Sequence, residues 1–87
     1  SRVERAVSNA PTPEELVLGT ERRRTVMAAI DALPERQRTV LLLCHAEGQS
    51  PREVGALTGL NESTVRVHLF RALRKLRAAL EASRVRR

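Results

Sequence analysis

Prolines and glycines punctuate this chain as helices. Pro13, Pro34 and Pro51 each open a run with apolar residues at helical spacing, and Gly48 and Gly59 each follow one. Proline suits the first turn of a helix but not its interior, where the missing N–H and the ring break the ladder. Glycine just past a helix takes up the left-handed conformation that closes the last turn. "TPEE" at 12–15 offers Thr12 as N-cap, Pro13 at the first helical position and Glu15 to close a capping box; "SPRE" at 50–53 repeats the pattern with Ser50, Pro51 and Glu53. The expected fold is all-α with four helices. The first runs toward Leu33, the second from Pro34 to Gly48, the third from Pro51 to Gly59, and the fourth from Glu62, behind the N-cap Asn61, to about Ala82. Two helices joined by a short turn containing Gly59 make a helix-turn-helix, without a wing.

The core follows from the apolar positions. In the first helix Leu16, Val26, Met27, Ile30 and Leu33 lie on or near one stripe. The polar middle, "GTERRRT", leaves two alternatives: a broken helix, or one that begins near Thr20. Val40, Leu41, Leu43 and Cys44 make the second helix the most apolar and the expected centre of the core. Val54 and Leu57 of the third are expected to face inward. Gly55, in mid-helix, costs about 1 kcal/mol relative to Ala, which points to close approach of another helix. Leu60 and Val65 stand at the positions of a hydrophobic staple around Asn61. Residues 1–11 read as a flexible linker or tail, 16–82 as the folded domain and 83–87 as a basic tail.

At 87 residues the chain supports one small domain. It has one Phe and no Trp or Tyr, so Leu, Val and Ala must fill the core. With a single cysteine, Cys44, an internal disulfide and a multi-thiolate zinc site are excluded. Cys44 reads as a small core residue. His45 beside it does not make a catalytic dyad, because sequential helical neighbours diverge by about 100°. No constellation of acid, base and nucleophile is visible, and the reading is of a protein that is not an enzyme and uses no cofactor. Neither an apolar run of spanning length nor a signal-peptide core occurs. Membrane insertion is not expected.

The net charge is +6, and its placement matters more than its size. Residues 1–60 hold eight Arg against eight Asp or Glu; residues 61–87 hold seven Arg and Lys75 against Glu62 and Glu81, which is the whole excess. On a helical wheel Val65, Leu69, Ala72, Leu73, Leu76 and Leu80 form one stripe. Arg66, Phe70, Arg74 and Arg77 share an adjoining face with Val67 and Arg71 just beyond, and His68 and Lys75 flank the stripe on its other side. No acidic residue occurs between Ser63 and Leu80, where a solvated helix would intersperse Glu. A helix about 10–12 Å across fits the major groove of about 12 Å. In a helix-turn-helix the first half of the second helix meets base edges, and later basic residues reach the backbone. The candidates for base edges are Ser63, Thr64, Arg66, Val67, Phe70 and Arg71; for the backbone, Arg74, Lys75 and Arg77; for flanking phosphates, Ser50 and Arg52. Phe70 remains open between core packing and contact with a thymine methyl or sugar, and His68 between solvent and a DNA contact.

"ALPERQR" (32–38), "SPREVGALTGL" (50–60) and "STVRVHLFRALRKL" (63–76) together resemble region 4 of the sigma-70 family, in its extracytoplasmic-function branch. The resemblance covers about residues 20–80, and it implies that residues 1–15 are the remnant of an interdomain linker. It implies a cytoplasmic bacterial transcription factor domain that reads the −35 promoter element within RNA polymerase holoenzyme. It further implies docking on the flap of the polymerase β subunit and masking by an anti-sigma factor. Arg66, Phe70 and Arg71 match the positions from which that family contacts DNA, and Thr64 matches its near-constant Thr. Val67 and His68 depart from the family's frequent Ser and Arg. The alternative is the helix-turn-helix effector domain of a response-regulator or quorum-sensing-type activator, which has four helices and dimerises through the last.

Overall fold

In a computed structural model the described residues are 13–85, with side chains described for Pro13 and 19–84. Four helices follow in order: α1 (Pro13–Asp31), α2 (Glu35–Leu41), α3 (Pro51–Thr58) and α4 (Glu62–Val85). Among the described residues no strand occurs. The Thr12–Glu15 cap, the side chain of Leu16, the linker expected at the start and the last two arginines lie outside the described residues or side chains.

α1 is one continuous helix, so neither the break nor the late start near Thr20 occurs. The hydroxyl of Thr25 donates to the Glu21 carbonyl one turn back (3.0 Å), so the polar middle stays within the helical ladder. α1 ends at Asp31, and Pro34 (φ −54°, ψ 146°) caps α2 rather than opening it as the first helical residue. The corner is closed by Arg38, whose Nη1 donates to the carbonyls of Asp31 (3.2 Å) and Leu33 (3.4 Å). These acceptors lie at and just past the C-terminal end of α1, where a cation is favoured by the helix dipole.

α2 widens into a π turn over Leu42–Ala46. Its end is wound to match: Glu47 N–H donates to Leu42 O and Gln49 N–H to Leu43 O, with Gly48 at φ 70° between them. α3 carries the expected cap in full: Ser50 Oγ accepts from Glu53 N–H (3.1 Å), and Glu53 Oε1 accepts from Ser50 N–H (2.9 Å). It stops at Gly59 (φ 78°), whose N–H returns to Gly55 O. α4 extends to Val85, three residues past the expected end near Ala82.

α4 packs against each of the other three helices. It contributes to two apolar clusters. Leu33, Leu41 and Ala72 form one, with Ile30, Leu69, Leu73 and Leu76 packed around them. Val40, Val54 and Val65 form the other, with Leu43, Cys44, Leu60 and Leu69. Leu69 belongs to both. Leu60 and Val65, the two staple positions, meet in the second cluster. Burial pushes the Cys44 thiol pKa up, in keeping with a packed side chain.

Two inward assignments fail. Leu57 is 65% exposed and Met27 53%. α3 turns only Val54 and Gly55 fully inside, and Leu57, about 60° away from Val54 on the wheel, falls past the edge of the contact. Met27 lies beside the half-buried Val26 on a helix with no fully buried residue among its described side chains. Gly55 is close-packed, as its mid-helix position implied, but against a turn and not a helix. A Cβ there would stand 2.7 Å from Leu60 O, 3.6 Å from Glu62 N and 3.8 Å from Asn61 C.

Candidate nucleic-acid interface

The turn from Gly59 to Asn61 aims α4. Thr58 stabilises it from within: its hydroxyl donates to Val54 O (2.7 Å) and accepts from Leu60 N–H (3.4 Å). Val65 N–H then donates to Asn61 O (3.0 Å), which starts the ladder of α4. With Val65 and Ala72 buried and Leu69, Leu73, Leu76 and Leu80 half-buried, the apolar stripe is inside. The opposite side is therefore outside.

On that outer side Ser63, Arg66, Val67, Phe70, Arg71 and Arg74 are all exposed. Phe70 is 65% exposed and Val67 45%, which settles Phe70 against core packing. Two apolar side chains set among three guanidinium groups give a face with both hydrogen-bond donors and methyl-sized apolar contacts. Major-groove edges present acceptors on guanine and a methyl on thymine. Arg66 lies about 12 Å from Arg74 along the helix axis at 1.5 Å per residue.

Four expected contacts are placed differently. Thr64 and His68 are half-buried on the flank of the stripe, and His68 Nδ1 is buried without a hydrogen-bond partner. Lys75 is engaged by the fold: its Nζ donates to Gln37 Oε1 of α2 at 3.0 Å. Gln37 is only 7% exposed, so this bond satisfies a buried polar group. Arg77 belongs to another neighbourhood, a groove of about 650 Å³ between α1 and the end of α4, where it lies with Glu21, Arg22, Leu80, Glu81 and Arg84.

At the start of α3, Ser50 and Arg52 are exposed. The capping box commits the Ser50 N–H to Glu53 Oε1 and its hydroxyl oxygen to the Glu53 N–H. Ser50's backbone N–H, and next its hydroxyl, hold the Glu53 carboxyl below the usual carboxylate range.

Sequence reasoning passed over Glu62, Gln37 and Thr58. Glu62 had a signal, its i,i+4 spacing to Arg66. Thr58 had a weaker one, a hydroxyl residue in the last turn of a helix. Gln37 had none, because its partner lies 38 residues away.

Residues 23–76 match the family described as Sigma-70, region 4. Relatives include a probable RNA polymerase sigma factor RfaY of Xanthomonas campestris pv. campestris, 37% identical over 75 residues, which is 86% of this chain and 19% of that protein. The ECF RNA polymerase sigma factor SigE of Mycolicibacterium smegmatis is 34% identical over 74 residues, 85% of this chain and 29% of that protein. The RNA polymerase sigma factor FliA of Escherichia coli K12 is 37% identical over 68 residues, 78% and 28% respectively. The chain thus spans less than a third of the length of these relatives. No solved structure matches it. The matched span takes in the second half of α1, the π turn, the capped α3 and the cationic face of α4, and on that ground this chain belongs to the sigma-70 region 4 family.

Proposed function

We propose that this domain reads the −35 element of promoter DNA as part of an RNA polymerase holoenzyme, within an extracytoplasmic-function sigma factor. The observation that carries this reading is the outer face of α4: Arg66, Val67, Phe70, Arg71 and Arg74 exposed together, with no acidic residue from 63 to 80, on a helix held out by a Gly59 turn. Arg66 and Arg71 contact base edges, Phe70 and Val67 contact thymine methyls or sugars, and Ser63 approaches the groove from the first turn. Arg74 grips the backbone, while the Ser50 hydroxyl and Arg52 hold flanking phosphates. Docking on the β-flap and masking by an anti-sigma factor belong to the same proposal. Exposed apolar side chains off α4 – Met27, Leu42 and Leu57 – support a protein partner in addition to DNA.

The test is binding of the domain to promoter duplexes and to scrambled duplexes by fluorescence anisotropy at several salt concentrations. Arg66→Ala is expected to lose about 1–3 kcal/mol on the preferred duplex and to relax discrimination at one base pair. Unchanged binding by Arg66→Ala would remove α4 from the recognition role. The domain is expected to sediment as a monomer. A stable dimer would instead favour an effector domain of the response-regulator type.

A further inference from the structure

Glu62 sits in the first turn of α4, on the reading helix itself, and it holds Arg66. Arg66 Nη2 and Nε both donate to one oxygen, Glu62 Oε2, at 2.6 and 3.2 Å. Both residues are exposed. The order, Glu four residues before Arg, is the favourable one on a helix, and Glu near the N-terminus is favoured by the dipole. Yet a solvent-exposed pair of this kind contributes little to stability. Its geometry has a different consequence. The Nε–Nη2 edge of the guanidinium is occupied, and the Nη1–Nη2 edge at the tip is left, in the same plane, for an outside acceptor.

We infer that Glu62 is a specificity-determining positioning residue, which presents Arg66 tip-first to a guanine and discourages it from gripping a phosphate. Two physical effects act in the same direction. The pair limits the rotamers from which Arg66 reaches the groove, so that the free edge meets the O6 and N7 acceptors of guanine as a planar fork. The carboxylate also cancels the charge of Arg66 locally. A phosphate contact depends on that net charge and carries no sequence information, whereas the guanine contact depends on the direction of two hydrogen bonds. Glu62 therefore lowers sequence-independent binding more than it lowers the reading of guanine. This inference rests on α4 being the DNA-reading helix.

The experiment starts from the preferred duplex selected by the wild-type domain from a randomised pool, with a scrambled duplex as reference. Glu62→Ala, Glu62→Gln and Arg66→Ala are compared by anisotropy at fixed salt, and each base pair of the preferred duplex is varied in turn. Glu62→Ala is expected to bind the scrambled duplex more tightly and to lose about tenfold in the preferred-to-scrambled ratio, the low end of what one bidentate base contact supplies. The lost discrimination is expected at the base pair where Arg66→Ala loses it. Glu62→Gln, which keeps an acceptor oxygen but not the charge, is expected to bind the scrambled duplex more tightly while retaining preference at that base pair. An unchanged ratio in Glu62→Ala would overturn the inference, and so would an equal weakening on every duplex, the mark of a helix-start role alone. A wild-type domain that selects no sequence would refute the −35 reading itself, a result separate from either.

Discussion

Gly55→Ala tests the geometry that aims α4. Alanine in a helix interior is favoured over glycine by about 0.8–1.0 kcal/mol. Opposing this, the added Cβ would lie 2.7 Å from Leu60 O, well inside the roughly 3.3–3.6 Å at which a carbon and a carbonyl oxygen come to rest. The obstacle is backbone, not the tip of a flexible side chain, and it belongs to a turn held by the left-handed Gly59 and the Thr58 hydroxyl. Overpacking of this kind costs about 1–3 kcal/mol, and a backbone obstacle belongs at the upper end. The net expectation is a loss of about 2 kcal/mol, or about 8–16 °C in Tm for a domain of this size. Gly19→Ala is the control. Gly19 lies inside α1 with nothing within 4 Å of its added Cβ, so the same change there is expected to raise stability by about 0.5–1 kcal/mol. Thermal and urea denaturation followed by circular dichroism measure both. If Gly55→Ala were as stabilising as Gly19→Ala, the close approach of the turn to α3 would be wrong, and with it the placement of the first turn of α4.

Lys75→Ala is expected to cost about 1–3 kcal/mol of stability by leaving the buried Gln37 oxygen without a donor, while the salt dependence of DNA binding stays as it was. Arg74→Ala is expected to do the reverse: stability within about 0.5 kcal/mol, and a salt slope reduced by about one unit through loss of a phosphate contact. A fall in salt slope for Lys75→Ala would return that residue to the DNA face. Glu53 supplies a pH prediction. Ser50's N–H and hydroxyl depress its folded pKa below the unfolded value, so the stabilisation is present above the unfolded pKa and is lost as pH falls through the folded one. Glu53→Gln keeps a cap acceptor without a titrating proton, and Tm plotted against acid pH is expected to flatten; an acid limb as steep as that of wild type would refute the assignment.

Much of the fold was legible because its signals are local. Ser50, Pro51 and Glu53 specify a helix start within four residues, and Gly59 specifies its end. The stripe of α4 was legible because it repeats over several turns, so that Val65, Leu69, Ala72, Leu73, Leu76 and Leu80 define a direction without knowledge of their neighbours. α3 has only eight residues, too few to show that Leu57 falls outside the contact while Val54 falls inside. Met27 fails for a related reason: α1 has little amphipathic contrast, so one more apolar residue near the stripe says nothing about burial. The π turn at Leu42–Ala46 depends on longer-range backbone bonds that no side-chain pattern announces. On the candidate interface, the exposed arginines followed from the wheel, whereas Phe70 stood between core and surface until its exposure in the fold decided it. Lys75 did not, because its partner on α2 exists only once the two helices have docked.

α4 is at once the structural hub and the proposed reading head. Leu69 seats it in both apolar clusters, and Val65, one of the three largest fully buried side chains, lies one position before Arg66. Backbone motion that moved the arginines would have to drag these seats along, so the helix offers its chemistry as a rigid template, with freedom left only in the side chains. If α4 reads promoters as proposed, its preference among them is free to drift by exchange of outward residues, whereas tilting the whole rod to follow a new site would dismantle the interior.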